Sequence, residues 1–319
     1  MHAIRYTRYG TPDVLRLDEV PTPEPKAGEV LVRVQAAGVD PGVWHLVTGT
    51  PYAVRAAFGM RRPRRPQLGG DVAGVVDRVG EGVTAWSPGD AVFGVAVGSF
   101  AEYAIARADR LVRRPSALTA EHAAALPTSG LTAMQGLRLG GADAGRRVIV
   151  LGAGGGVGHF AVQLARIAGA HVTAVCGPDK VDFVRELGAD VVVDYTRERP
   201  SGTFDTVIEI AGNRSVSELR ALTAPGGTVV LAGGEGGGPL LGAAVRQLRV
   251  SLTPWVRPRV RPLLSVPNAA DLERLAELAG SGELRPHVER VFPLDGAADA
   301  LRDLERGHTR GKLVLRVAD

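Results

Sequence analysis

The stretch LGAGGGVGHF, residues 151–160, contains five glycines among ten residues. The apolar run Val148–Leu151 is typical of a buried strand, and its last residue, Leu151, is the first residue of the glycine-rich stretch. From about Gly158 onward, small and apolar residues recur at helical spacing: Ala161, Leu164, Ala165 and Ala168. The polar residues between them are predicted to point away from this apolar face: His159, Gln163 and Arg166. The glycines are therefore predicted to form a strand-to-helix turn.

Ala153, Gly155 and Gly158 match the dinucleotide-binding fingerprint with its first glycine replaced by alanine. Small residues there allow a tight turn, let the backbone approach a pyrophosphate and pack the helix against the sheet. Backbone N–H groups at the helix start, around Gly156 and Val157, are then available to bind phosphate. The alternative is a loop or a tight packing contact without a ligand. The flanking strand and helix favour the cofactor site.

The end of the next strand, HVTAVC (171–176), indicates which cofactor binds. An acidic residue there holds the adenosine ribose of NAD, whereas a nearby cation favours the 2′-phosphate of NADP. Gly177 occupies the place of the acid, and Lys180 is close enough along the chain to pair with a phosphate. Asp179 complicates this interpretation because it could reach the ribose hydroxyls, and Lys180 could be a solvated surface residue. We therefore predict NADP(H) as the cofactor.

Composition excludes several classes of protein. A chain of 319 residues, 45% hydrophobic, is long enough for two cores. Its net charge is only +4 and diffuse, so no nucleic-acid partner is expected. Cys176 is the only cysteine, which rules out an intrachain disulfide or a cysteine-cluster zinc site. The N-terminus lacks an apolar signal region and no apolar run could span a bilayer, so we expect a cytoplasmic protein without a membrane partner.

The character of the sequence changes near residue 120. Before it, short β-type runs alternate with turn signals, as in EVLVRVQAAGV (29–39), DVAGVVDRVG (71–80) and SFAEYAIA (99–106). After it, strands alternate with helices through GTVVLAG (227–233), which predicts βαβ units and a doubly wound parallel sheet. An apolar face predicts a helix within residues 269–284, and GKLVLRV (311–317) is predicted as a last strand. The fold class is therefore α/β with an additional β-rich domain.

Several ordered motifs resemble one family over nearly the whole chain: RYTRYGTPDVLRLDEVPTPEPKAGEVLVRVQAAGVDP (5–41), LGGDVAGVVDRVGEGVTAWSPGDAVFG (68–94), ALPTSGLTAMQGL (125–137) and GHTRGKLVL (307–315). Together with GAGGGVG they resemble the medium-chain dehydrogenase/reductase superfamily, in its zinc-free, quinone-oxidoreductase-like branch. The resemblance implies a GroES-like catalytic domain over residues 1–120, completed by 267–319. It also implies an inserted Rossmann NADP-binding domain over 121–266 and a cleft where the two domains meet.

The resemblance allows the zinc site to be examined residue by residue. Zinc-dependent members carry a Cys near position 40, a His near 70 and a Cys near 128, where this chain has Asp40, Gly70 and Thr128. A catalytic zinc needs three protein ligands, and only Asp40 could serve, so no metal is expected. Hydride addition to a quinone or to a C=C conjugated with a carbonyl spreads charge into an enolate and needs less electrophilic help than ketone reduction. The expected reaction is NADPH-dependent reduction of quinones, enones or enals.

Candidate catalytic residues lie in VDPGVWHLVTGTPY (39–52). Relatives usually have Asn-x-x-Asp there, whereas this chain has Asp40 and Val43, with His45 where some quinone reductases carry Tyr. Asp40, His45 and Tyr52 are the candidates for polar or proton-donating roles. His45 could equally be a half-buried residue that supports the loop. The departure from Asn-x-x-Asp also leaves open a non-catalytic NADPH-binding protein, either redox-responsive or similar to a lens crystallin.

Further cofactor contacts are implied by motif position. By resemblance, Thr132 reaches the phosphate region and Tyr195 lies against the adenosine 2′-phosphate; Thr128 is placed with them in the cofactor site. Ala211, Gly212, Gly233 and Gly234 follow later strands, at the edge where open α/β sheets bind ligands.

Two further segments suggest contacts with a substrate or with another subunit. RAAFGMRRPRRP (55–66) contains five arginines that could steer an anionic substrate, such as a carboxylate or an acyl carrier, or form a solvated face. SLTPWVRPRVRPLLSVP (251–267) is apolar and proline-rich, and could line the substrate pocket or a subunit contact. The resemblance implies a homodimer, often formed through the Rossmann sheet.

Overall fold

The computed structural model describes residues 1–233 and 257–318. Residue contacts divide the chain into a first unit, Met1–Leu131 with Val266–Asp319, and a second unit, Thr132–Ser265. The first boundary therefore lies later than the one expected after residue 120. The reason is that the residues after 120 pack against the first unit's strands, and Ala123–Leu126 are completely buried there. Gly234 and residues 251–256 of the proline-rich segment lie outside the described residues.

The first unit is built mainly from strands. The strands before the second unit are β1 His2–Arg5, β2 Arg16–Glu19, β3 Glu29–Val39, β4 Asp71–Val79, β5 Ala91–Val97 and β6 Tyr103–Arg113. The C-terminal segment adds two more strands, which are described below. The helices before the second unit are α1 Pro41–Thr48, α2 Ala53–Phe58, α3 Ala120–Ala124 and the start of α4 Pro127–Gly140. Strand β6 extends beyond the predicted run 99–106, because its charged residues hide the strand from a search for apolar runs.

The second unit alternates strands and helices. Its strands are β7 Arg147–Leu151, β8 His171–Cys176, β9 Val191–Asp194, β10 Phe204–Glu209, β11 Thr223–Leu231 and β12 Arg259–Pro262. Its helices after α4 are α5 Gly156–Ile167, α6 Val181–Glu186 and α7 Val216–Ala221. All neighbouring pairs are parallel, in the order β12-β11-β10-β7-β8-β9. Counted from β7, this is the strand order 3-2-1-4-5-6 of the Rossmann fold, with its switch point between β7 and β10.

The C-terminal segment completes the first unit with α8 Ala269–Gly280, β13 Val288–Pro293, α9 Ala297–Glu305 and β14 Lys312–Arg316. The sheet order is β13-β14-β3-β4-β5-β6, and β3 also pairs with β6, so that four strands close on themselves. The far end of β3 pairs antiparallel with the starts of β4 and β14, as Ala37 with Val72 and Val39 with Leu313. One strand end and two strand starts therefore meet at one place in the interior.

Helix α5 begins at Gly156, two residues before the predicted start, and its residues 158–165 are all buried. His159 and Gln163, which were predicted to point away from the apolar face, are buried as well. The centroids of the His159 and Phe160 rings lie 3.8 Å apart, and the Gln163 amide donates to the His159 carbonyl oxygen at 3.0 Å. Helical periodicity predicts burial of one apolar face only, whereas α5 is buried by neighbouring elements on more than one face.

None of the helices within the described ranges combines the length and apolarity needed to span a bilayer.

Candidate functional site

The glycine-rich turn connects β7 to α5 at the switch point of the sheet. Gly152 has φ +92°, in the left-handed region, and so supplies the sharp turn that the fingerprint frame had assigned to Ala153. The Ala153 side chain is instead fully buried. Gly155 is the N-cap of α5, followed by the partly exposed Gly156 and Val157. N–H groups in the first turn of a helix have no intrahelical partner, so this turn presents donors to an anion.

Gly158 is required for packing. A Cβ atom at this position would collide with the Gly152 carbonyl oxygen and lie 2.7 Å from the Ala153 backbone. By contrast, the nearest atom to a Cβ at Gly155 would be 3.8 Å away. The turn is therefore closed on its protein side at Gly158 and open at Gly155, as a cradle for a pyrophosphate requires.

The ends of three neighbouring strands meet beside this turn. A Cβ at Gly152 would lie 3.1 Å from the backbone nitrogen of Ala211, which follows β10. A Cβ at Gly233, after β11, would collide with the Ile210 carbonyl oxygen. Gly212 has φ +74° and turns the chain directly after Ala211. The structure thus brings together the segments that motif position had predicted, at the carboxyl edge of the sheet.

Lys180 crosses the glycine-rich turn. It ends a short 3₁₀ turn after β8, and a Cβ at Gly154 would lie 2.7 Å from its Cδ. Tyr195, 59% exposed, lies beside the same strand end, with its hydroxyl 3.4 Å from where a Gly177 Cβ would be. Asp179, which directly precedes Lys180 in the chain, is exposed. One cation and one phenol therefore flank the place where an acid would bind the ribose of NAD.

Cys176 lies beneath this cluster and is buried. Burial raises the pKa of its thiol to about 11, with Asp194 adding to the rise and Lys180 opposing it. The thiol therefore stays protonated at neutral pH and is not a nucleophile there.

A separate buried cluster lies in the first unit, where β3 ends. Asp40 is the N-cap residue of α1, but its carboxylate makes no capping bond. Instead it accepts hydrogen bonds from the Lys312 ammonium at the start of β14 and from the Ser129 hydroxyl, the latter at 3.1 Å. Lys312 is only 2% exposed, so Asp40 and Lys312 form an interior ion pair.

Asp71, the first residue of β4, joins the same cluster. Its Oδ2 lies 3.9 Å from the Lys312 ammonium. The Thr128 backbone N–H donates to both Asp71 oxygens at 3.1 Å, and the Thr128 hydroxyl donates to Oδ1 at 2.5 Å. The backbone N–H and the hydroxyl of Thr128, a residue predicted to contact the cofactor, thus both donate to Asp71.

The two carboxyl groups of the cluster differ in ionisation. Burial would raise the pKa of Asp40, but the charge and hydrogen bond of Lys312 hold it below its ordinary value. Burial, followed by the negative charge of Asp40, raises the pKa of Asp71 well above its ordinary value, and Lys312 and Thr128 offset only part of this rise. The pKa of Asp40 is thus lowered and that of Asp71 raised, so Asp71 keeps its proton to a higher pH than Asp40 does.

His45 lies in the last turn of α1. Its Nδ1 is 2.7 Å from the Thr50 carbonyl oxygen, which can only accept, so Nδ1 carries the proton. In the neutral ring Nε2 is then an acceptor, and His45 donates a proton from Nε2 only as an imidazolium. The Trp44 ring meets it edge-on at 5.2 Å.

Tyr52, the third predicted catalytic residue, is 46% exposed and stacks on a cation. The Arg55 guanidinium lies 4.6 Å from the ring centroids of both Tyr52 and Tyr9. Arg55 also donates to the Gly49 carbonyl oxygen at 2.9 Å, at the end of α1. The Tyr52 ring therefore helps to hold the segment between α1 and α2.

Asp71, Ser129 and Lys312 were missed as site residues, although each lies inside a motif that carried the family resemblance. The available signal was a charged residue at the start of a buried strand, in GGDVAG and GKLVL. A charge in that position is rarely tolerated without a partner. Within the described ranges, no group of three or more His, Cys, Asp or Glu side chains is arranged to hold a metal ion.

A Rossmann sheet with a phosphate-binding turn, together with a closed GroES-like β unit, defines a nicotinamide-dependent oxidoreductase of the medium-chain type. Two family models match: an alcohol dehydrogenase GroES-like domain over residues 26–116 and a zinc-binding dehydrogenase domain over residues 187–315. The chloroplast envelope quinone oxidoreductase homolog of Arabidopsis thaliana is 35% identical over 99% of this chain and 98% of its own length.

Solved structures agree with this assignment. The quinone oxidoreductase of Coxiella burnetii superposes with a TM-score of 0.88 at 30% identity, over 99% of both chains. A structure described as an NAD-dependent alcohol dehydrogenase superposes with a TM-score of 0.83 at 29% identity, over 100% of both chains. The chain belongs to the medium-chain dehydrogenase/reductase superfamily, in its quinone-oxidoreductase-like branch. It is accordingly an oxidoreductase.

Proposed function

We propose that this chain reduces a quinone or an α,β-unsaturated carbonyl compound with NADPH in preference to NADH, and without zinc. The observation that carries the proposal is Lys180, whose side chain lies across the glycine-rich turn while Gly177 occupies the place of the ribose-binding acid. A cation at this position attracts the 2′-phosphate that only NADPH carries. Tyr195 supports the proposal, because its exposed ring flanks the same strand end.

The residues of the second unit fit a dinucleotide. Gly155, Gly156 and Val157 would present N–H groups to the pyrophosphate, and the close packing at Gly158 would keep the turn in place. Ala211, Gly212 and Gly233 would border the cofactor along the carboxyl edge, and Thr132 would lie near its phosphates. When bound, the cofactor supplies the hydride. The chain holds and orients it.

Zinc independence is supported by the partners of Asp40. Of the three positions that hold zinc ligands in zinc-dependent members, only Asp40 carries a ligating side chain, and the Lys312 ammonium already neutralises it. A metal ion there would have to displace a buried cation. The proposal therefore gives Asp40 a positioning role at the start of α1, rather than the polar catalytic role expected from the sequence.

His45 is the proposed proton donor. Its Nδ1–H is fixed on Thr50, so Nε2 is the atom that would exchange a proton with the substrate oxygen or carbon, as an imidazolium. His45→Gln retains a side-chain N–H for the Thr50 carbonyl but cannot be protonated. Turnover should fall about 100-fold or more, with NADPH affinity unchanged. His308→Gln, at an exposed histidine, is the control, and full activity of His45→Gln would assign His45 a supporting role only.

The proposed function is tested with a panel of quinones, enones and enals, assayed with NADPH and with NADH, with and without a metal chelator. We expect turnover with NADPH that the chelator does not change. Loss of activity with rescue by zinc would refute the zinc-free reaction. NADPH binding without oxidation by any acceptor would favour the alternative of a non-catalytic cofactor-binding protein. Sedimentation of the same preparation tests the proposed homodimer.

A further inference from the structure

The loop that follows α2 exposes apolar and cationic side chains side by side. Phe58 is 49% exposed and Met60 is 67% exposed, although both are large and apolar. Arg61, Arg62, Arg64 and Arg65 are exposed directly after them. We call residues 58–65 the arginine loop. Exposed large apolar residues that are rimmed by polar groups are a feature of interaction sites.

The four arginines of the loop are not paired. Across residues 1–233 and 257–318, no carboxylate lies within salt-bridge distance of any of them. Elsewhere in the first unit arginines have acidic partners, such as Arg113 with Asp90 and Arg290 with Asp303. Four like charges within five residues repel one another, and nothing within the described fold offsets that repulsion. Their complement must therefore be external and anionic.

The loop is held in shape at its base. The Tyr9 hydroxyl donates to the Gly59 carbonyl oxygen at 2.6 Å, and the Arg64 N–H donates to the Phe58 carbonyl oxygen at 2.8 Å. Arg55, stacked between Tyr9 and Tyr52, ties the preceding helix to the end of α1. Gly59 has φ +127°, a turn that only glycine makes easily. The exposed side chains are thus presented on a formed turn and not on slack chain.

We propose that the arginine loop binds the surface of a bilayer that contains anionic lipid, with Phe58 and Met60 entering the headgroup region. Guanidinium groups bind lipid phosphates, and neighbouring apolar side chains add insertion energy, which is the combination that interfacial anchors use. A loop of eight residues is too small for a stable protein interface, which takes about 20–30 residues on each side. The attachment would be peripheral, and it replaces our expectation of no membrane partner. It does not depend on the reaction proposed above.

The test is co-sedimentation of the purified protein with phosphatidylcholine vesicles, with and without phosphatidylglycerol. We expect binding only to the anionic vesicles, weakened by salt. Replacing the four arginines (R61S/R62S/R64S/R65S) should lower the partition coefficient about 50-fold or more, and F58S/M60S should lower it about tenfold at unchanged charge. Circular dichroism and NADPH binding establish that the variants are folded.

A matched control removes the same charge elsewhere, in R33S/R146S/R199S/R259S, four other exposed arginines. It should retain most of the vesicle binding. Equal losses in the two quadruple variants would overturn the proposal, because net charge alone would then explain binding. Equal binding to neutral vesicles, or no binding to either, would also overturn it. Retention on polyglutamate without vesicle binding would replace the bilayer by an acidic protein partner.

Discussion

Lys312 forms a buried ion pair with Asp40, 272 residues earlier in the chain, and its ammonium lies 3.9 Å from the Asp71 carboxylate. The pair connects the start of β14 to the end of β3 and the start of α1. Removing one member of a buried ion pair leaves an uncompensated charge in the interior, which costs more than the pair itself contributes. This relationship fixes the position of the Asp40 carboxylate, and several measurements test it.

Lys312→Met should lower the free energy of unfolding by about 3–5 kcal/mol, because it leaves Asp40 ionised and buried without its cation. Lys26→Met, at an exposed lysine, should change it by no more than about 0.5 kcal/mol. Urea denaturation measures both. The double variant Lys312→Met with Asp40→Asn should recover part of the loss, since no buried charge of the pair remains. A loss below about 1 kcal/mol in the single variant would contradict the buried pair.

Asp71→Asn should change the pH dependence of stability. The folded-state pKa of Asp71 is raised, mainly by burial, so its contribution to stability is complete below the unfolded pKa of about 3.9 and is lost as pH rises through the folded value. The amide introduced by Asp71→Asn does not titrate and avoids this loss, while its oxygen still accepts from Thr128. The free energy of unfolding of the variant, relative to that of the parent, should therefore increase as pH rises.

The control for this experiment is Asp182→Asn, at an exposed aspartate of α6. The free energy of unfolding of Asp182→Asn should differ little from that of the parent, and this difference should not increase with pH. If Asp71→Asn runs parallel to the parent from acid to neutral pH, Asp71 is ionised in the folded protein and the ionisation assigned to the cluster is wrong.

Lys180→Ala should weaken NADPH binding about tenfold or more while changing NADH binding little, because a charge-assisted bond to the 2′-phosphate is lost only with NADPH. Titration of nucleotide fluorescence measures both dissociation constants. Arg185→Ala removes an exposed cation from the neighbouring helix α6 and should affect neither nucleotide by more than a small factor. Equal weakening of NADPH and NADH would remove the phosphate role of Lys180.

Gly155 and Gly158 provide a pair of alanine substitutions with opposite expectations. Gly158→Ala should destabilise the second unit, because its Cβ collides with the Gly152 carbonyl oxygen. Gly155→Ala meets no atom closer than 3.8 Å, so stability should be nearly unchanged while nucleotide binding falls, since the new methyl group occupies the open side of the turn. Thermal unfolding and nucleotide titration of both variants separate the two effects. Unchanged nucleotide binding in Gly155→Ala would place the cofactor elsewhere.

Local patterns predicted much of the fold. The strands 29–39 and 171–176 were predicted with their observed bounds, because these largely apolar runs end at Asp40 and at Gly177. The boundary of the first unit and the burial of His159 were not predicted, because both depend on elements that pack from elsewhere in the chain. Thr128 was assigned to the cofactor site from motif position, whereas its hydrogen bonds to Asp71 could be seen only in the fold.

The sequence by itself determined the class of this protein. Periodicity and glycine placement around residues 151–160 are local properties, and they specify the phosphate-binding turn without knowledge of the rest of the chain. Only the tertiary structure decided the state of the buried charges. Antiparallel pairing brings the end of β3 beside the starts of β4 and β14, so Asp40, Asp71 and Lys312 meet although they are far apart in sequence. Ionisation depends on distance and burial, which exist only once the chain is folded.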